Sequence, residues 1–314
     1  MNCSRCSQQA VIELQHGFHC KSHFIDYFEE KVFHTIQKYK LIGRTEKICV
    51  AASGGKDSLT VLYLTKKYLQ KNKLPTTNLF ALAIDEGIHN YRAKTLIDLE
   101  KFCQEQNIEL KIVRTKEEFG KTLDEAYPII NKGTKKKPCN VCGVWRRYLI
   151  NKHSRKLGAD KVITGHNLDD EAQAIIMNIF KANTSLAAHL GPISGVQEHA
   201  LFVRRVKPLY FCAEKETRLY SLLKKFNIEF TECPYAPEGY RAQIQEMLND
   251  FEEKYKGTKQ GIINSFLAIL PLLKEKENAA NKETETIREC NNCGEPANQE
   301  TCNACKMAEV LKNE

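Results

Sequence analysis

The chain has no long hydrophobic run. Nothing in it approaches the roughly 18 consecutive apolar residues that a bilayer-spanning helix needs, so a membrane segment is not expected. Its opening residues, MNCSRCSQQA, lack the apolar core of a signal peptide, so export is not expected and a cytoplasmic location is. It also lacks the G-x-x-x-x-G-K-[ST] spacing of kinase-like and GTPase-like phosphate loops, which sets that class of ATP chemistry aside. No internal repeat extends beyond pairs of cysteines in CxxC spacing.

What the chain does hold is an ordinary globular share of apolar residues, 42%, enough for a sizeable core. Its charge is unbalanced: 47 Lys and Arg against 39 Asp and Glu give a net +8. A solvated lysine surface and a polyanionic partner both fit that excess, and charge alone does not separate them. Thirteen cysteines are many for a reducing compartment, where disulfides are disfavoured. CxxC pairs at Cys3/Cys6, Cys139/Cys142, Cys290/Cys293 and Cys302/Cys305 point to metal instead.

From about residue 47 to 235, strand-like and helix-like stretches alternate. Strands are predicted at 47–52, 79–84, 109–114, 160–164 and near 201–206, and helices at 58–71, 91–106, 142–157, 168–182 and 214–226. This alternation specifies an α/β fold: a parallel sheet with helices on both faces. Right-handed crossovers place the ligand crevice at the carboxyl ends of its strands. Residues 241–275 read as mostly helical, with the apolar run 261–273 a packing helix and 274–289 a linker or exposed helix end.

Ser53-Gly54-Gly55-Lys56-Asp57-Ser58 lies where the first strand gives way to a helix. Unpaired N–H groups and the positive end of the helix dipole converge there, glycine allows close backbone approach, and Lys56 adds a point charge. The combination predicts an anion site. Gly165-His166-Asn167-Leu168-Asp169-Asp170-Glu171 repeats the strand-end position. Its acids read either as helix-dipole partners or as Mg²⁺ or base-orienting carboxylates beside ATP, and His166 as a site or a turn residue.

At the far end, Cys290-x2-Cys293-x8-Cys302-x2-Cys305 supplies four thiolates in a stretch too polar to build a core unaided, which predicts structural Zn²⁺. Cys3-x2-Cys6-x13-Cys20-x2-His23 forms a similar set, with His16 and His19 as rival ligands. Cys139 and Cys142 follow Lys135-Lys136-Lys137-Pro138 at a loop-to-helix junction. The helix end, Lys137, Arg146 and Arg147 predict depressed thiol pKa values and reactivity, against the alternatives of a zinc pair or an inert one. Cys233, in Glu232-Cys233-Pro234-Tyr235 after a strand-like Phe230, is a candidate third member of the crevice. Cys49, Cys103 and Cys212 stand in apolar contexts and read as buried small hydrophobes.

SGGKDS, GHNLDDEAQ, the CNVCG pair and the ECPY cysteine, bracketed by two cysteine-rich units, resemble the tRNA 2-thiouridine synthetases of the TtuA/NcsA type. The resemblance covers essentially the whole chain. It implies a PP-loop ATPase core at 27–240, a zinc-binding unit at 1–26, a helical segment and linker at 241–289, and a second zinc unit at 290–314. It implies that Cys139, Cys142 and Cys233 hold a [4Fe-4S] cluster with one iron free to take up sulfide. It further implies that Ser53, Gly54, Gly55, Lys56, Asp57, Ser58, Gly165 and His166 hold ATP with Mg²⁺. The uridine C2 oxygen then attacks the α-phosphorus, pyrophosphate leaves, and sulfur displaces AMP. Asp170 matches a functional carboxylate, and Arg146 stands where many relatives carry a basic lysine. Lys135, Lys136, Lys137, Arg147, Arg204, Arg205 and Lys207 would track tRNA phosphates. A homodimer follows by analogy, as does a sulfur donor: a ubiquitin-like thiocarboxylate, a persulfide carrier or free sulfide.

Three alternatives accompany that expectation. Thiolation through a Cys139/Cys233 persulfide and disulfide needs no cluster. A PP-loop ligase joining an amine to an adenylated carbonyl needs no central cysteines. A zinc-stapled tRNA-binding scaffold needs no turnover. Relatives modify either the wobble uridine or a T-loop uridine, and a lysine- and asparagine-rich chain with 13 cysteines does not look thermophilic, which favours the wobble position.

Overall fold

The computed structural model describes residues 1–134, 136–196, 199–226, 233–235, 240–283 and 287–312. A hairpin of β1 (Ile12–Leu14) and β2 (Gly17–His19) leads through Cys20 into α1 (Lys21–Lys38). Phe24, Phe28, Val32 and Ile36 recur every four residues along α1 and are buried as one apolar stripe. The division expected at 26/27 therefore falls inside a helix.

Five described strands form one parallel sheet: β3 (Ile48–Ala51), β4 (Leu79–Asp85), β5 (Glu109–Arg114), β6 (Lys161–Thr164) and β7 (Arg204–Val206), in the order β5-β4-β3-β6-β7. The crossovers carry α2 (Lys56–Lys71), α3 (Arg92–Glu105), then α4 (Thr115–Phe119), α5 (Leu123–Thr134) and α6 (Pro138–Lys156), and finally α7 (Leu168–Phe180) and α8 (Thr184–Ala188). Side chains alternate across the strands and fill two cores. Ile48, Val50, Leu79, Ala81 and Ala83 pack with α1, α2 and α3, whereas Cys49, Phe80, Leu82 and Ile84 pack against Leu149 of α6. Because both faces are covered, β4 is apolar from Leu79 to Ile84, with Asp85 at its end.

Strand order reverses between β3 and β6, which lie side by side yet feed crossovers to opposite edges of the sheet. A parallel sheet opens a crevice at such a point. The turns after these two strands are residues 52–55 and 165–167, so both loops singled out in the sequence stand at one place.

After the sheet come α9 (Glu214–Leu223), α10 (Tyr240–Lys254) and α11 (Thr258–Glu283). The stretch 241–275 is thus two helices, broken at Gly257, whose φ of +92° ends the first. α11 runs on through 283, so most of the expected linker is helix end. The strand-like Phe230 lies outside the described residues. A hairpin of β8 (Arg288–Glu289) and β9 (Pro296–Ala297) and α12 (Asn303–Lys312) close the chain. No helix among the described residues is long and apolar enough to cross a membrane.

Candidate active site at the strand crossover

The Ser53–Ser58 loop wraps the first turn of α2, whose N-cap is Gly55. Ser58 Oγ donates to the Gly55 carbonyl (2.8 Å) and accepts from the Ser53 amide (3.2 Å), which cross-braces the turn. Gly54 has φ +86°, and a Cβ there would stand 2.3 Å from the Thr95 carbonyl oxygen of α3. A Cβ on Gly165 would come within 2.9 Å of the Asp57 backbone, so the second turn lies directly against the loop. Lys56 Nζ contacts Asp57 (3.0 Å) and Glu214 at the start of α9 (2.8 Å). Burial opposes the Lys56 charge, but these two carboxylates outweigh it and raise its pKa. Burial also raises that of Asp57, against the pull of Lys56.

The acidic first turn of α7 is paired residue by residue: Asp169 with Lys259 of α11, Asp170 with Arg241 of α10 (2.7 Å), Glu171 with Lys207 (2.7 Å). Asp170 also completes a capping box with Asn167, and Asn167 Nδ2 donates to Asp57 Oδ1 at 3.3 Å. Asp170 is therefore both a cap and a neighbour of the loop, so the two expectations for it are compatible. His166 is exposed and meets Thr164 Oγ1 through Nδ1 at 2.9 Å.

Two residues that sequence reasoning did not single out tie the loop to α6. Glu86, just beyond β4, lies with one carboxylate oxygen 3.1 Å from Arg92 Nε and the other 2.9 Å from Arg146 Nε. Arg92 Nη1 donates to the Ser53 carbonyl at 2.6 Å. The only signal available in sequence was a charged residue directly after a wholly apolar strand.

Pro138 occupies the first turn of α6, where its missing N–H costs nothing. Cys139, exposed on that turn, donates from Sγ to the Tyr235 carbonyl at 3.1 Å. Tyr235 Oη in turn donates to Asp124 of α5 at 2.7 Å, which pins residues 233–235 against α5 and α6. Cys142 and Cys233 pack in one apolar cluster with Ile88, Val141 and Trp145. The three cysteines are thus neighbours at the start of α6, near enough for their charges to interact, but their sulfurs do not gather as tightly as the two terminal sets do. The depressed thiol pKa expected here is not found at Cys142. Burial pushes that thiol up to about 12, Glu86 adds to the effect, and Arg146 opposes it. Burial raises Cys233 as well. Two thiols packed on an apolar cluster, a third exposed beside them and a cation close by are a donor set that suits an iron–sulfur cluster, whose iron prefers thiolate and stabilises its ionised form. Cys49, Cys103 and Cys212 are buried and remote from any cation-binding set among the described residues.

Two other groups gather tightly. The ligand atoms of Cys3, Cys6, Cys20 and His23 lie within 4.8 Å of one another, as do those of Cys290, Cys293, Cys302 and Cys305. The rival histidines are separated: His19 is buried with Nδ1 on the Gly17 carbonyl (3.1 Å), and His16 is exposed outside the set.

Of the basic residues, Lys136 and Lys137 stand before α6, and Lys135 lies outside the described residues. Arg205 Nη2 donates to the Arg147 carbonyl at 3.2 Å, and burial first, then the Arg147 charge, pull its pKa down to about 10. Neither guanidinium meets a carboxylate among the described residues. Arg204 precedes Arg205 on β7. Lys207 departs from expectation: it is buried against Glu171, so its charge is neutralised inside the fold and is not offered to phosphate.

A model of the PP-loop domain matches residues 26–235. The chain is 37% identical over 313 residues to the tRNA-5-methyluridine(54) 2-sulfurtransferase of Pyrococcus horikoshii, spanning 98% of this chain and 93% of that protein. It is 31% identical over 326 residues to the tRNA 2-thiolation protein NcsA of Haloferax volcanii, spanning 99% of each. A solved structure, the U34-tRNA thiolase NcsA from Methanococcus maripaludis with its [4Fe-4S] cluster, matches with a TM-score of 0.79 at 30% identity, covering 100% of this chain and 96% of that one. The chain belongs to the PP-loop family, among the tRNA 2-thiolation enzymes of the TtuA/NcsA type.

Proposed function

We propose that this protein is an ATP-dependent tRNA 2-sulfurtransferase that acts on the wobble uridine. The observation that carries it is the meeting of two sites: the Ser53–Ser58 loop and the cysteine pocket are joined by one buried carboxylate, Glu86. The loop amides and Lys56 take the ATP phosphates, displacing Glu214, and Asp57 and Asp170 hold Mg²⁺ beside Gly165 and His166. The uridine C2 oxygen attacks the α-phosphorus and pyrophosphate leaves. Sulfide then takes the place of the adenylated oxygen, and AMP leaves. Arg146 stands by the developing charge of that exchange.

Cys139, Cys142 and Cys233 hold a [4Fe-4S] cluster, which when bound supplies an iron position open to sulfide. The fourfold sets at the two ends hold structural Zn²⁺, closed to chemistry because every position is a protein ligand. Arg147 and Arg205, two cations without a carboxylate, take a tRNA phosphate with Lys136, Lys137 and Arg204 beside them. Reduced thiols and a tRNA substrate fit the cytoplasm. The sulfur comes from a thiocarboxylate or persulfide carrier or from free sulfide. Analogy makes the protein a homodimer, with exposed Ile179, Phe180, Leu186, Ile269 and Leu272 available to such a contact. The name of the P. horikoshii relative favours a second target, the T-loop uridine.

Serine at Cys139, Cys142 or Cys233 tests the cluster. Each change is expected to lower thiolation by at least about 100-fold and to remove iron and acid-labile sulfide from anaerobically purified protein. Wild-type protein that thiolates without iron would instead assign the sulfur transfer to a cysteine persulfide.

A further inference from the structure

Glu86 is 3% exposed and Arg92 2%, so this carboxylate and its first partner are fully inside the protein. The second partner, Arg146, is on α6 one turn beyond Cys142, with its side chain 40% exposed. Each oxygen of Glu86 serves one guanidinium, at 3.1 Å and 2.9 Å. The backbone of Glu86 is fixed too, its carbonyl accepting from the Leu123 amide of α5 at 2.7 Å. Arg92 passes the connection on through Nη1 to the Ser53 carbonyl (2.6 Å) and to Thr95 Oγ1 (3.2 Å). The terminal nitrogens of Arg146 have no partner among the described residues. They stand close enough to Cys142 and Cys233 for the charges to be felt in both directions.

One carboxylate between two guanidiniums leaves a net positive group, and two cations side by side, one of them buried, would repel without it. A carboxylate oxygen 2.9 Å from Arg146 Nε, an ion pair without hydrogen-bond alignment, restrains the guanidinium by charge, so Glu86 keeps Arg146 in place as well as neutralising part of its charge. A hydrophobic residue of the same volume would fill the space but would do neither.

We infer that Glu86 is a positioning residue for both halves of the reaction: it aims Arg146 at the cysteine pocket and, through Arg92, holds the Ser53 end of the nucleotide loop. The catalytic half of this inference rests on the thiolation reading, and the nucleotide half does not.

Glu86→Gln keeps the shape but offers one acceptor oxygen, enough for a single guanidinium. In zinc-loaded, cluster-free protein with Mg²⁺ present its Kd for ATP should rise by about 10-fold, while Arg146→Gln, which leaves the Glu86–Arg92 pair intact, should stay within about 2-fold of wild type. In loaded protein each single change should lower the kcat of thiolation at least about 10-fold, and the double variant should fall no further than the worse single, as one coupled unit does. A role confined to the fold predicts effects that multiply. Glu86→Asp retains the buried charge, and hence the fold, but is one methylene short of spanning both arginines, so both losses should persist in it. Wild-type Kd and kcat in Glu86→Asp and Glu86→Gln overturn the inference, as do multiplying effects in the double variant. Wild-type protein that fails to thiolate tRNA sinks the thiolation reading alone, and the ATP measurements then decide the role of Glu86.

Discussion

Lys207 ends the basic run Arg204-Arg205-Val206-Lys207, and its ammonium lies 2.7 and 2.9 Å from the two oxygens of Glu171, both side chains under a tenth exposed. A charge run in sequence gives the sign of a surface but not which of its members turns inward. Here β7 ends at Val206, and the next residue points back under the first turn of α7. Removing one member of a buried ion pair leaves the other uncompensated, so Lys207→Met should cost about 3–5 kcal/mol. The urea midpoint reads this, and Lys207→Met with Glu171→Leu should recover part of the loss. Glu86 and Arg92 were illegible for the same reason: pairing between positions 86 and 146 leaves no local trace. Ser53–Ser58 was legible because a turn at a strand end with two glycines is a local feature, set by backbone conformation.

Among the elements, α6 bears the most of the proposed chemistry. Its first two turns carry Cys139 and Cys142, its third Arg146 and Arg147, and its last turns dock the carboxyl-terminal unit, where Glu295 pairs with Arg155 and accepts from Asn151 Nδ2 at 3.1 Å. Cys290, Cys302, Ala304 and Met307 of that unit pack in the same cluster as Val141 and Trp145. The small unit has little core of its own, so a metal held by its four cysteines would support α6 from outside. Cys302→Ser should therefore release about one equivalent of zinc and speed amide hydrogen exchange in α5 and α6, with exchange in α2 unchanged. Exchange confined to residues after 287 would show the unit to be independent of α6. The βα alternation revealed the sheet and five of its helices to within a few residues, because strand and helix periods differ, but not α4, α5 or α8. α1 was not among the expected helices, although Phe24, Phe28, Val32 and Ile36 form a clear four-residue apolar repeat.

Taken as a whole, the molecule places two loops at the strand-order reversal and a cysteine pocket beside them. Sequence motifs named the participants, but their meeting depends on crossover topology and on the packing of residues 233–235 against α5 and α6. Basic residues near the pocket, Arg147 and Arg205 above all, suit a ligand that brings phosphate to the same edge. The position modified is a property of the tRNA that fits this surface, which no single motif encodes. Anaerobic incubation of the cluster-loaded protein with ATP, sulfide and bulk tRNA, followed by mass spectrometry of the nucleosides, tests the central claim most directly. The expected result is 2-thiouridine derived from the wobble position, with one AMP and one pyrophosphate for each sulfur incorporated. A thiolated T-loop nucleoside would move the target, and tRNA left unthiolated with no AMP formed would contradict the account.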